Sequence, residues 1–213
     1  VEEALKNGIH LEPSSAFDMP MIEALEKKGA LTKDITVICN GFKTYQYKQY
    51  IIDMLHDGYK NIIPVLDNKE EFNLYDDEIE MDTPCNLGIR IAAEEQPDSQ
   101  FYTSRLGVRL EDVIDFYNNK ISGNPNFRVK LLHFFINSGI TDSPYYWNEL
   151  EKYVTLYCKF KKINPELDTL DIGGGMPFKD SLVFDFDYEY MVNEIVKRIK
   201  EICAEHDVIE PDI

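Results

Sequence analysis

Three consecutive glycines, Gly173, Gly174 and Gly175, directly follow a short apolar segment of strand character, and their chemistry is the clearest in the chain. Glycine lacks a side chain and reaches backbone angles that other residues avoid, so successive N–H groups can converge on phosphate oxygens. A strand that ends in such glycines therefore predicts an anion site. A tight turn after a buried strand is the other interpretation, because turns are the commonest use of glycine.

The segments that must position these glycines alternate between short β-branched runs and longer stretches of helical periodicity. This alternation predicts βα units and a parallel sheet. The strand segments are mostly continuous apolar, as expected where helices cover both faces of a sheet. The predicted strands are 9–12, 35–39, 62–66, 87–91, 129–134 and 169–172.

The helices between these strands have recognisable ends. Ser143 is a predicted N-cap with Pro144 in the first turn, and a last helix is predicted over about 188–206. The chain then ends at Asp212 and Ile213 as if another strand were beginning. A closed βα barrel requires eight strands, so six predict an incomplete barrel, with an open doubly wound sheet as the competing architecture.

Composition limits the classes of partner and the compartment. With 39 acidic and 22 basic residues the net charge is −17, which argues against nucleic acid or anionic lipid as the main partner and suits a cationic substrate. The four cysteines lie far apart without metal-ligand spacing, which predicts a reduced compartment. The chain lacks a signal-peptide start and any apolar run that could cross a bilayer, so a cytoplasmic location is predicted.

Six segments in order resemble the barrel of fold-type III pyridoxal-phosphate decarboxylases, and among these the biosynthetic arginine decarboxylases. Segment 170–177 is similar to the family's Leu-Asp-Ile-Gly-Gly-Gly-Phe-Pro, and segment 37–43 to its Ile-Cys-Asn-Gly-Tyr-Lys. The other similar segments are 10–15, 87–91, 104–108 and 131–139. The resemblance implies an α/β fold, a (β/α)8 TIM-type barrel of the alanine racemase/ornithine decarboxylase kind that is incomplete in this chain, with residues 1–213 forming part of a pyridoxal-phosphate-binding domain.

The resemblance also implies roles for individual residues. The three glycines would present N–H groups to the cofactor phosphate, and Ser138 would add a hydroxyl to the same anion. Glu12 and Arg90 would lie near the cofactor ring, where one could hold a ring substituent and the other tune its charge; a salt bridge at the edge of the core is the structural alternative for Arg90.

Two departures from the family pattern stand out. Phe135 takes the place of the histidine that stacks on the cofactor, and a phenyl ring can cover the pyridine face but cannot carry a proton. His133 points to the same face of the strand but lies deeper, where a hydrogen-bonded core histidine is expected. The family's imine-forming lysine, its pyridine-nitrogen glutamate and its C-terminal β-domain would all lie outside this sequence, so the catalytic residues are not assigned and the isolated chain is expected to be inactive.

For the complete protein the resemblance implies decarboxylation of arginine to agmatine in polyamine synthesis. Pyridoxal phosphate is the implied cofactor, with Mg2+ as a second candidate, and the expected assembly is a homo-oligomer. Two alternatives stay open at this point. One is decarboxylation of another basic amino acid, namely diaminopimelate, ornithine or carboxynorspermidine, and the other is a non-catalytic relative that binds phosphate or the cofactor.

Overall fold

The computed structural model describes residues 1–76, 84–93, 106–178 and 185–213, and it contains one parallel sheet of five strands. The strands pair in chain order, β1 with β2 through to β4 with β5. A doubly wound sheet would reverse its strand order at a switch point, whereas sequential parallel strands are the arrangement of a barrel. The expected incomplete barrel is therefore confirmed. The strands are β1 Thr36–Cys39, β2 Asn61–Leu66, β3 Cys85–Arg90, β4 Phe127–His133 and β5 Thr169–Asp171.

The predicted first strand, 9–12, is not a regular strand; only Leu11 bridges to Val37 of β1. The segment nevertheless runs beside β1, since the Leu11 N–H donates to the Thr36 carbonyl and the Asn40 N–H donates to the Pro13 carbonyl. Pro13 has no N–H, so the rung between these two bonds cannot form. The ladder is interrupted at that proline, which explains why this strand prediction was wrong.

The opposite edge of the sheet is extended by the end of the chain. Asp212 bridges to Thr169 of β5 in parallel, and its carbonyl accepts from the Leu170 N–H at 2.8 Å. The sequence predicted the start of a new strand at this point, and within the described residues the structure has a single bridge there rather than a regular strand. The five strands and the two flanking bridges, at Leu11 and Asp212, therefore follow one another around the sheet.

Helices cover the outer face of the sheet. Ser143 caps α6 by accepting from the Tyr146 N–H at 3.2 Å, as its position before Pro144 predicts. The last helix carries a fully buried apolar stripe, which includes Ile195 and Ile199. The helices are α1 Glu2–Leu5, α2 Met19–Lys27, α3 Tyr45–His56, α4 Asn73–Asp76, α5 Val113–Phe116, α6 Pro144–Ile163 and α7 Tyr188–Glu205. Within the described ranges, none of them is long and apolar enough to cross a membrane.

The inner face of the sheet has its own small apolar core. Ile63, Val65 and Leu131 form a buried cluster separate from the large outer core. A Cβ added to Gly88 would lie 2.9 Å from Leu131 Cδ2 and 3.0 Å from Val65 Cγ2. A larger residue at position 88 would force Leu131 or Val65 to shift, so the absence of a side chain there lets these inner residues pack closely. Above this layer the inward-facing positions turn polar, and that change marks the candidate site.

Candidate functional site

The glycine turn lies immediately after β5 and holds its backbone in conformations that favour glycine. Gly173 and Gly175 have φ angles of +70° and +100°, and a Cβ on Gly173 would lie 2.8 Å from the Phe134 carbonyl oxygen. Gly174 faces open space. The Gly173 N–H donates to Asp171 Oδ1 at 2.9 Å, whereas the N–H groups of Gly174 and Gly175 have no acceptor in the described part of the chain. Two backbone donors are thus left for an external anion.

The turn after β4 lies against these glycines. The Ile140 N–H donates to the Gly175 carbonyl at 3.2 Å, and a Cβ on Gly139 would lie 2.9 Å from the same oxygen. Ser138 is exposed on this rim and donates its hydroxyl hydrogen to the Gly139 carbonyl at 3.0 Å. Its hydroxyl would have to rotate to donate to an anion held by the glycines.

Phe135 stands beside the glycine turn. It follows the end of β4 and is 36% exposed. Its Cδ2 would lie only 3.2 Å from a Cβ on Gly173. An aromatic face next to the Gly174 and Gly175 N–H groups can cover a flat ring whose phosphate is held by the turn, but it supplies no hydrogen bond or proton.

A polar cluster inside the barrel is held together by Asn40. The Asn40 Nδ2 donates to Glu12 Oε1 at 2.8 Å and lies 3.0 Å from His133 Nε2, while its Oδ1 accepts from the Gly41 N–H at 2.9 Å. These contacts fix the amide orientation, so Nε2 of His133 must accept and the imidazole proton lies on Nδ1. Burial, with smaller effects of Arg90 and Lys43, lowers the pKa of His133 to about 3. The ring is therefore neutral and buried, as expected, but only its Nε2 has a hydrogen-bond partner among the described residues.

Asp171 completes this cluster. One ligand-type atom from each of Glu12, His133 and Asp171 lies within 4.8 Å of the others. Because the ring nitrogen lone pair of His133 already accepts from Asn40, the cluster offers only two free carboxylates and is better suited to hydrogen bonding than to metal binding. Within the described residues, His133 Nδ1 and Asp171 Oδ2 are buried without a partner. A cavity of about 260 Å³ opens beside the cluster, lined by Glu12, Asp171, Gly173 and Ile213, among others.

Arg90 belongs to a second, buried network of charges. Its Nη1 lies 3.5 Å from Oδ1 of the fully buried Asp67, so the salt bridge weighed as its structural alternative is present. The Asp67 N–H donates to Glu71 Oε2 at 2.9 Å, and Glu71 lies 3.8 Å from Lys43 Nζ. Lys43 Nζ also donates to the Gly41 and Val65 carbonyls at 2.6 Å. This network fixes the end of the strand that carries Arg90.

The structure thus brings most of the predicted site residues to one end of the barrel. The glycines, Ser138 and Phe135 form one rim; Arg90 ends β3, and Glu12 follows the bridge at Leu11. Their roles towards a cofactor stay predictions. Sequence reasoning did not assign roles to Asn40 and Asp171, although both occur within the recognised segments. It also missed Asp67 and Glu71, whose only signal was two acidic residues four apart after a buried strand. Of the 104–108 segment, Ser104 and Arg105 lie outside the described residues.

Comparison with known proteins identifies the same family that the sequence motifs resemble. Residues 3–211 match the family model for the pyridoxal-dependent decarboxylase, pyridoxal binding domain. The biosynthetic arginine decarboxylase of Citrifermentans bemidjiense is 26% identical over 192 residues, which cover 84% of this chain and 30% of that protein. The enzyme of the same name from Pelobacter propionicus is 29% identical over 220 residues, 98% of this chain and 34% of that protein. The chain therefore spans about a third of the length of these relatives.

Solved structures share the fold at low sequence identity. Lysine decarboxylase from Selenomonas ruminantium superposes with a TM-score of 0.68 and 19% identity, covering 94% of this chain and 49% of that one. The arginine decarboxylase of Paramecium bursaria Chlorella virus bound to agmatine gives 0.66 and 16%, covering 99% and 54%. Since the family model for the pyridoxal binding domain matches nearly the whole chain, this protein belongs to the pyridoxal-dependent decarboxylase family.

Proposed function

We propose that the rim formed by Gly173, Gly174, Gly175 and Ser138 holds the phosphate of pyridoxal phosphate. The observation that carries this proposal is the pair of N–H groups on Gly174 and Gly175 that have no acceptor among the described residues, in a turn where Gly174 leaves open space. Convergent backbone N–H groups without intervening side chains are a recurrent way to bind phosphate. Residues 1–213 would then be part of one cofactor-binding barrel domain.

The remaining site residues orient the ring in this proposal. Phe135 covers one face, Arg90 approaches from the end of β3, and Glu12 approaches from the segment beside β1. The Asp67, Glu71 and Lys43 network fixes the position of the Arg90 guanidinium. When bound, pyridoxal phosphate supplies the electron-withdrawing chemistry that lets an attached amino acid lose carbon dioxide. The protein contributes the contacts to the phosphate, and it holds the cofactor ring in one position.

For the complete protein we propose decarboxylation of L-arginine to agmatine in polyamine synthesis. The support is that matched relatives covering most of this chain carry the name biosynthetic arginine decarboxylase. The net charge of −17 also suits a cationic substrate. Mg2+ dependence, a homo-oligomeric assembly and a cytoplasmic location, all expected from the sequence, stay predictions for the complete protein.

The test of the phosphate site is a pyridoxal-phosphate titration of the full-length protein, followed by absorbance and 31P NMR. Replacing Gly174 by alanine should weaken binding at least about tenfold, because the methyl group would occupy the space through which the phosphate approaches its donors. Gly123→Ala is the matched control, since Gly123 also faces open space but lies before β4 at the opposite end of the barrel. Equal affinity of both variants and the native protein would contradict the proposal.

The substrate is tested separately by release of carbon dioxide from arginine and ornithine. Agmatine formation with a clear preference for arginine would support the proposed reaction, and a preference for ornithine would assign a different basic substrate. Cofactor binding without release of carbon dioxide from either would favour a non-catalytic relative.

A further inference from the structure

Two carboxyl groups face each other where the two edges of the curled sheet approach. Glu12 follows the bridge at Leu11 on one edge, and Asp171 ends β5 at the other. Carboxylate oxygens of the two residues lie within 4.8 Å of one another. Both line the 260 Å³ cavity, which Gly173 also lines. Asp171 is half-buried and Glu12 is exposed, so two negative charges this close repel each other, although water on the Glu12 side weakens the effect.

The surrounding groups do little to neutralise both charges. Asp171 Oδ1 accepts from the Gly173 N–H, but Oδ2 is buried and has no partner within the described ranges. Glu12 Oε1 accepts from the neutral amide of Asn40. The charged or titratable neighbours are Arg90, which pairs with Asp67, His133, which is neutral, and His10, which lines the cavity and whose Nδ1 accepts from the Thr36 N–H.

We propose that Glu12 and Asp171 share one proton at neutral pH, held on Asp171 Oδ2, and that this pair is the proton-holding group of the site in place of the histidine that Phe135 replaces. The first part rests on the distance between the two carboxyl groups and on the buried, unpartnered Asp171 Oδ2. The second part rests on the proposed cofactor function.

The protonation behaviour of Asp171 agrees with this geometry. Burial and, next, the neighbouring Glu12 carboxylate raise the pKa of Asp171 to about 7, while the Gly173 N–H and Arg90 oppose the rise. A group that titrates near neutral pH can both give and take a proton under working conditions. The proton would leave Oδ2 for a basic atom of a molecule in the cavity. The resulting carboxylate would keep its bond from the Gly173 N–H and regain a proton from water.

The experiment is infrared difference spectroscopy of the full-length protein without cofactor, between pH 5 and 9. A buried protonated carboxyl band should disappear with a midpoint near pH 7 in the native protein. Asp171→Asn should remove this band. Glu12→Gln, a change at an exposed residue that should fold normally, should lower the midpoint by about one pH unit or more, because the repelling charge is gone. Glu166→Gln, at an exposed carboxylate paired with Arg128, is the matched control and should leave the midpoint unchanged.

A midpoint that Glu12→Gln leaves unchanged, or a native protein with no carboxyl titrating above pH 6, would overturn the proposal. The readout needs no cofactor, so its failure is distinguishable from failure of the phosphate site. A titrating pair in a protein that does not bind pyridoxal phosphate would keep the proton-sharing part and remove the catalytic part.

Discussion

Replacing Lys43 by methionine should destabilise the protein more than any exchange of an exposed lysine. The Lys43 side chain is fully buried, donates to two backbone carbonyls at 2.6 Å and lies 3.8 Å from Glu71, which is itself 4% exposed. Methionine has a similar length and fills the space, so the cavity cost is small. The loss comes from a buried carboxylate without its cation and from two carbonyls that no longer accept from the Lys43 ammonium.

The expected loss at pH 7 is about 3–5 kcal/mol in the free energy of unfolding, the usual range when one partner of a buried pair is removed. It should also depend on pH. Burial already raises the pKa of Glu71 against the opposing effect of Lys43, and without that cation the pKa rises further. A native state that holds an extra proton gains stability as pH falls, so the loss should be smaller at pH 5 than at pH 7.

The assay is urea unfolding at both pH values, with Lys60→Met as the control. Lys60 makes a shorter ion pair, 2.7 Å to Asp34, but both side chains are largely exposed. If burial rather than distance decides how much an ion pair stabilises the fold, Lys60→Met should change the free energy of unfolding little, because exposed ion pairs contribute little. Equal losses for the two variants, or a Lys43→Met loss below about 1 kcal/mol, would refute the reasoning.

Three further predictions concern the same end of the barrel and the layer beneath it. Gly173→Ala should lower the free energy of unfolding by at least about 1–2 kcal/mol, since its φ is +70° and its Cβ meets the Phe134 oxygen, whereas Gly123→Ala should not destabilise. Leu131→Ala should cost about 2–5 kcal/mol in urea unfolding, because Leu131 is fully buried in the inner core; a smaller loss would mean that this core can collapse. His133→Gln should remove a loss of stability that sets in as pH falls below about 6.5, because the unfolded histidine protonates there while the native one, with a pKa of about 3, does not. Parallel stability curves of the native protein and His133→Gln between pH 4 and 7 would contradict the last prediction.

The fold was predictable because its signals are local. Continuous apolar segments marked all five strands, β1 to β5, and Ser143 marked the start of α6. The first strand was overpredicted because Pro13 removes one hydrogen-bond donor, an effect on pairing that apolar content does not show. Local sequence could not distinguish a barrel from a doubly wound sheet, because the strand order depends on which strand edges meet in space.

The site was predictable only in part. The glycines of the turn are visible in the sequence, because their type reports the backbone conformation they adopt. The Asn40 contacts to Glu12 and His133 span 28 and 93 residues of sequence, so no local pattern reports them. The same holds for Asp171, whose motif was recognised but whose approach to Glu12 depends on the curvature of the sheet.

The central claim is that the glycine turn binds the phosphate of pyridoxal phosphate through the N–H groups of Gly174 and Gly175. The most direct test is to follow the backbone amide NMR signals of Gly174 and Gly175 in the full-length protein while pyridoxal phosphate is added. Saturable shifts of these two signals, weakened in parallel with binding in Gly174→Ala, are predicted. Tight cofactor binding that leaves both signals unchanged would contradict the account.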